Sequence, residues 1–315
     1  MKKLNCQNCG AAMTLDANAM TAGCRFCGTK FVLSREDTDY YLDFYKQMSS
    51  FLASSKDEQE RIAKADALWE TADETIFGCA DGRQIEVRYL YSTSLKEADL
   101  YVSRRNIIYH FRKDGAELAD KYRRTVSFID YPSADTRKLS DFFPRVTGGF
   151  ELDDGSYLLV IDKSSDEYPL RIFGKLGGRH VAWIISRLEN LCCVLEFNSL
   201  VHPDINPDTI FINPYTHQAS LLGNWWNVTR KNAMGDDKVI RRTSMNLLGL
   251  RRTAGELLGD DSAPQALTDF ISSVPREDAY EDFAFWDEML IQAYGERKFI
   301  NFETDDESVY NRKKD

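Results

Sequence analysis

The chain has 315 residues, 43% of them hydrophobic and 29% charged, with a formal net charge of −10. That length holds one large core beside a small module. No apolar run approaches the roughly 20 residues of a membrane span, and the acidic balance disfavours broad nucleic-acid affinity.

The first signal in chain order is a pair of C-x-x-C-G knuckles, Cys6, Cys9, Gly10 and Cys24, Cys27, Gly28. Four thiolates at this spacing close a tetrahedral zinc shell with no open position, so the expected metal holds structure and performs no chemistry. Residues 1–35 are therefore expected to form a zinc ribbon, with Leu15, Phe26, Phe31 and Val32 as a small core. Met1, Lys2, Lys3 and Leu4 run straight into the first knuckle with no secretory pattern, which fits a cytoplasmic chain and zinc rather than disulfides. The ribbon carries Lys2, Lys3, Arg25, Lys30 and Arg35 against Asp16 alone, a balance of +4 that leaves −14 for the rest. Of the other cysteines, Cys79, Cys192 and Cys193 lack metal spacing, and the last two fall on a buried helix pattern.

Residues 36–82 read as a charged helical connector, with Tyr40, Tyr41, Phe44, Met48, Phe51 and Leu52 grouped at helical spacing and a second run at Ile62, Ala65, Leu68 and Trp69. Alternation of Ile85, Val87 and Tyr89 predicts a strand over 84–90. Further strands are expected over 98–104, 106–111 and 154–162. Val181, Ile184, Ile185, Leu188, Leu191, Cys192 and Leu195 follow the i, i+3, i+4, i+7 rule of a buried helix face. Later helices are predicted over 247–259, 264–270 and 283–294, the last burying Trp286, Leu290 and Ile291, and residues from Thr304 onward are expected to fray.

Between these helices, residues 201–213 read V-H-P-D-I-N-P-D-T-I-F-I-N, and 221–226 read L-L-G-N-W-W. The first segment resembles the protein kinase catalytic loop, H-R-D-L-K-P-E-N-I-L, and the second lies where D-F-G belongs. The resemblance covers about three quarters of the chain and implies an α+β, two-lobed kinase-like domain behind the zinc ribbon and connector. The small lobe spans 83–162, the large lobe 163–301, and a polar tail 302–315. Ile161 then falls near the gatekeeper position, and the hinge starts near Asp162.

The same resemblance implies that the phosphate-handling parts are degenerate. His202 and Asp204 match the frame, whereas Pro203, Asn206 and Thr209 replace the Arg, the Lys and the metal-holding Asn. Asn224 stands at the D-F-G Asp, and a one-residue shift puts Gly223 there, so neither register restores a carboxylate. His110 takes the place of the phosphate-gripping lysine, no glycine occurs between Gly82 and Gly115, and Ser244 replaces the Asp that ties the large-lobe helix to the catalytic loop. The expected function is that of a pseudokinase scaffold acting through a protein partner, with structural Zn2+ and at most a weakened site for ATP and magnesium. Two alternatives stay open: an atypical phosphotransferase with Asp204 as base and Asp208 or Asp236 recruiting the metal, and a nucleic-acid-associated protein working through the basic ribbon.

Overall fold

A computed structural model describes the backbone of three short strands between 14 and 32, and residues 60–311 apart from 62, 113, 134–135, 236, 260–262, 296–301 and 303. The chain divides into two compact units, 1–66 and 67–315. In the first, β1 (Thr14–Asp16), β2 (Thr21–Gly23) and β3 (Lys30–Val32) form an antiparallel meander, pairing Leu15 with Ala22 and Ala22 with Phe31. The knuckle cysteines Cys6, Cys9, Cys24 and Cys27 and the helical run at 40–52 lie outside the described residues.

The second unit starts with a helical turn carrying the buried Trp69, followed by the antiparallel hairpin β4 (Asp73–Gly78) and β5 (Gln84–Tyr89). A five-stranded antiparallel sheet then forms from β6 (Tyr91–Ser94), β7 (Ala98–Val102), β8 (Asn106–Phe111), β9 (Arg145–Glu151) and β10 (Tyr157–Asp162), in the spatial order β6-β7-β8-β10-β9. Helix α1 (Gly115–Ser127) and a 3-10 helix (Thr136–Phe142) connect β8 to β9. The strand expected at 84–90 is present but does not join this sheet. Its apolar alternation instead places Ile85, Val87 and Tyr89, with Phe77, against Ile108, Leu158, Tyr101 and Val160 on the sheet's outer face, and Tyr91–Ser94 takes the edge.

The linker after β10 enters β11 (Tyr168–Pro169), which pairs with β13 (Ile210–Asn213); β13 pairs in turn with β14 (Gln218–Leu221). Between them come α2 (Gly178–Phe197), β12 (Leu200–Val201) and the loop 202–209, and β12 pairs with β15 (Thr229–Arg230). All seven apolar residues expected on the buried face of α2 are buried. Helices α3 (Ser244–Leu257), α4 (Gln265–Ser272) and α5 (Ala279–Tyr294) pack behind it. Trp286 is fully buried as expected, whereas Ile291 is 48% exposed because it lies off the face that meets α2 and α4. No helix of the described residues is long and apolar enough to cross a membrane.

Two buried polar clusters bind the unit together. Arg251 on α3 pairs with Asp282 on α5 (2.8 Å) and with Glu189 on α2 (3.3 Å). One guanidinium faces two carboxyls away from water, and burial followed by repulsion from Asp282 pushes Glu189 up to about 9, so it keeps its proton at neutral pH. The second cluster corrects the expectation of a frayed tail. Residues 306–311 form α6 (Asp306–Asn311), whose Asp306 accepts from Trp69 Nε1 (3.0 Å) and from the Tyr168 hydroxyl (2.5 Å). Tyr310 packs edge-on against both rings, and Val309 is fully buried. Two apolar residues among charged ones give too weak a periodic signal to mark this turn in the sequence.

Candidate functional site

The loop 202–209 is held by its own short polar side chains. Asn206 Oδ1 accepts the Asp208 N–H (2.9 Å), while the Thr209 hydroxyl donates to the Asp204 carbonyl (2.5 Å) and accepts the Asn206 N–H (3.2 Å). These side-chain-to-backbone bonds fix a turn with no regular partner strand. His202 is buried, with Nε2 2.9 Å from the Gly223 carbonyl and Nδ1 3.3 Å from the Asp204 N–H. Nε2 therefore carries the proton and Nδ1 accepts. Burial pushes this imidazole down to about 4, which keeps it neutral in that tautomer.

Asp204 faces two amides. Its Oδ2 accepts from Asn227 Nδ2 (2.8 Å) and Asn224 Nδ2 (3.2 Å). Asn224 adopts left-handed backbone geometry (φ 55°), which Asn tolerates better than most residues, and this turns its side chain back toward the loop. Asp208 lies beyond, gripped by Arg171 through Nε (2.8 Å) and Nη2 (2.6 Å), while Arg171 also meets Glu256. The Arg171 N–H donates to the Pro207 carbonyl (3.0 Å), so the 3-10 turn that follows β11 (Leu170–Phe173) is stitched directly onto the loop.

Gly223 backs the loop through its backbone, beside the Asn224 side chain. Its N–H and that of Leu222 both donate to the Thr209 carbonyl (3.0 Å each), and a Cβ added at Gly223 would lie 2.6 Å from Thr209 Cα and 2.8 Å from its Cβ. Thr209 and Gly223 thus lie against each other with no room for a side chain at Gly223. The residues present do not fit a magnesium site. Among the described residues no group of three or more His, Cys, Asp or Glu side chains could hold a metal.

The tie from α3 to the loop comes from Asn246, not from Ser244. Asn246 Oδ1 accepts the His202 N–H (2.8 Å) and Nδ2 donates to the Leu200 carbonyl (2.9 Å). Motif alignment placed the tie at the helix start, whereas the side chain that faces the loop sits two residues later.

His110 is the other displaced position. It lies on the outer face of the sheet, with Nε2 2.9 Å from the Ser156 hydroxyl and its ring 4.9 Å from Phe77 under the β4–β5 hairpin. Successive strand residues face opposite sides, so a register error of one residue reverses the assignment. The inner face toward α1 belongs to Tyr109 and Phe111, both fully buried. Trp226 fills the space they face, with its ring 5.0 Å from each and 6.1 Å from Tyr122 of α1. The Tyr122 hydroxyl closes the group by donating to the Leu222 carbonyl (2.6 Å). Trp225 packs oppositely, against Phe143 and His202. The β6-to-β7 connection is residues 95–97 and holds no glycine.

The structure thus brings His202, Asp204, Asn206, Thr209 and Asn224 together and leaves His110 apart. Tyr109, Arg171, Trp226, Asn227 and Asn246 share the site without having been predicted for it. The adjacent Trp225 and Trp226 were the one available signal, since two large aromatics beside a turn must be housed somewhere.

No protein-family model matches the chain, and no curated protein matches it. Solved structures do. Vaccinia-related kinase 3 aligns at 14% identity over 69% of this chain and 90% of its own, with a TM-score of 0.50. The ROP18 kinase domain in complex with AMP-PNP and sucrose aligns at 13% identity over 78% and 93%, with a TM-score of 0.48. The kinase PK-1 of Cydia pomonella granulovirus aligns at 11% identity over 75% and 98%, with a TM-score of 0.45. With its five-stranded sheet, single intervening helix and helical lobe behind a catalytic-loop segment, this chain has a protein kinase-like fold.

Proposed function

We propose that this protein is a pseudokinase, a kinase-shaped scaffold that engages a protein partner without transferring phosphate. The observation that carries the reading is the contact of Gly223 with Thr209, which closes the place where cations would bridge a triphosphate. Two further features support it: Asp204 binds the Asn224 and Asn227 amides, and Trp226 packs on Tyr109 and Phe111 of β8, the strand on which the resemblance puts the phosphate-gripping lysine. The opposing reading, a phosphotransferase with Asp204 as base and Asp208 as cation ligand, must first break the two hydrogen bonds from Arg171 to Asp208.

Thermal unfolding with ATP, ATP plus magnesium and ATP plus EDTA separates these readings, because a native-state ligand raises the transition by RT ln(1 + [L]/Kd). The expected result is no magnesium-dependent shift and no phosphate release. A shift that requires magnesium, with turnover abolished by Asp204→Asn, would replace the proposal by the phosphotransferase reading.

The N-terminal unit is proposed to be a structural zinc ribbon through Cys6, Cys9, Cys24 and Cys27. Elemental analysis is expected to give about one zinc per chain, lost when Cys24 and Cys27 are replaced by Ser.

A further inference from the structure

A cavity of about 720 Å3 opens between the α1-to-β9 connector, the interlobe linker and the β13–β14 hairpin. None of its lining comes from the loop 202–209, and it meets the site above only at Leu222 and Phe143. Its volume lies within the range of pockets that hold one small organic molecule.

The lining divides into three kinds. Ile129, Tyr131, Phe143 and Leu222 give an apolar wall, in which the Tyr131 and Phe143 rings meet edge to face at 6.3 Å. The strongest charges are already engaged. Arg145 pairs with Asp162, Lys163 Nζ donates to the Arg104 and Ser164 carbonyls (2.9 Å each), and Glu167 accepts from the Ser164 N–H (2.6 Å) and the Ser220 hydroxyl (2.5 Å). Neutral polar side chains complete the wall, namely Ser140, Asn213, Thr216 and Gln218. Burial pushes the Tyr131 hydroxyl up to about 12, so it too stays uncharged.

Asp141, Asp162 and Glu167 against Arg145 and Lys163 leave the lining one negative charge in excess, which disfavours an anion. We propose that this cavity binds an uncharged aromatic heterocycle with an amide-like hydrogen-bonding edge, its ring against Tyr131 and Phe143 and its polar edge toward the neutral side chains. Such a ligand joins the α1-to-β9 connector to the interlobe linker and so favours one arrangement of the two lobes.

The test is titration of the full chain with three matched probes, indole-3-acetamide, indole-3-acetate and tryptamine, read by calorimetry. Indole-3-acetamide is expected to bind saturably, with indole-3-acetate weaker by about tenfold or more and tryptamine, which the excess negative charge attracts, binding no tighter than the amide. Ile129→Trp and Thr216→Trp, which place an indole in the cavity, are expected to weaken the amide by about tenfold or more while unfolding remains cooperative. If Ile129→Trp does not fold, Thr216→Trp in the hairpin turn decides alone. The inference fails if no probe binds at millimolar concentration, if indole-3-acetate matches the amide, if tryptamine binds tighter than the amide, or if the folded variants bind as the parent does.

Discussion

The face of β8 toward α1 and the loop 202–209 are filled by different physics. On the sheet side, Tyr109, Phe111 and Trp226 occupy the space with ring volume. On the loop side, Asp204, Asn206, Thr209, Asn224 and Asn227 are linked by hydrogen bonds of 2.5–3.2 Å, with Asn224 Oδ1 left buried without a partner. A volume-filled wall resists a ligand because side chains would have to leave, whereas a bond-filled wall resists because polar groups would have to lose partners. The first should respond to truncation and the second to changes of charge and pH.

The largest effect is expected from Trp226→Ala, which leaves a cavity between β8 and α1 and should cost about 3–5 kcal/mol. Urea unfolding should show the midpoint falling with an unchanged slope. A loss below about 1 kcal/mol would mean that the wall is loosely packed and the contrast is wrong.

The pH response of His202 comes next. Its folded value of about 4 lies below the ordinary 6.5, so the unfolded chain binds more protons between these values, and stability is lost as pH falls from about 6.5 to about 4. The full contribution is about 3 kcal/mol. Glu189 acts with the opposite sign, since its raised value stabilises the folded state below about 4.5 and this is lost as pH rises toward about 9. The check is therefore the difference between the parent and His202→Phe, measured by urea unfolding from pH 4.5 to 7.5, and it should shrink steadily as the pH falls.

Gly223→Ala should cost about 1–3 kcal/mol through overlap with Thr209. Combining it with Thr209→Gly should recover about 1 kcal/mol relative to additivity, and a double-mutant cycle measures the coupling directly. Asp204→Asn is expected to be the mildest change, about 1 kcal/mol, because a charged acceptor of two amides becomes a neutral one at a partly exposed site. A chemical-denaturation difference near zero would show that these amides bond equally well to water.

The large-lobe frame was the most legible part of the sequence. The apolar periodicity of α2 repeats over 20 residues, and each of its seven expected contacts is buried, because a long helix has one way to hide such a face. The loop 202–209 was legible as a motif, and its members do meet. What escaped were assignments that hang on a single residue of register. His110 and Tyr109 are adjacent and face opposite sides of β8, and nothing local in N-I-I-Y-H-F says which side meets α1. Asn246 against Ser244 is a displacement of two residues along α3, settled only by packing between distant segments. The strand at 84–90 was legible but its partner β4 was not, since alternation reveals a buried face and not what covers it.

The clasp made by Asp306 has a kinetic consequence. Its two bonds join residues 237 and 138 positions apart, among the longest sequence separations in this unit. Closing such loops costs entropy before any contact rewards it, so contacts this distant form late when a chain folds. The sheet and the helical lobe should thus be assembled before Trp69, Tyr168 and Tyr310 meet. Refolding followed by ring packing at Trp69 should then lag behind refolding followed by backbone signals, and the linker between the lobes should be the last part of this unit to acquire its final shape.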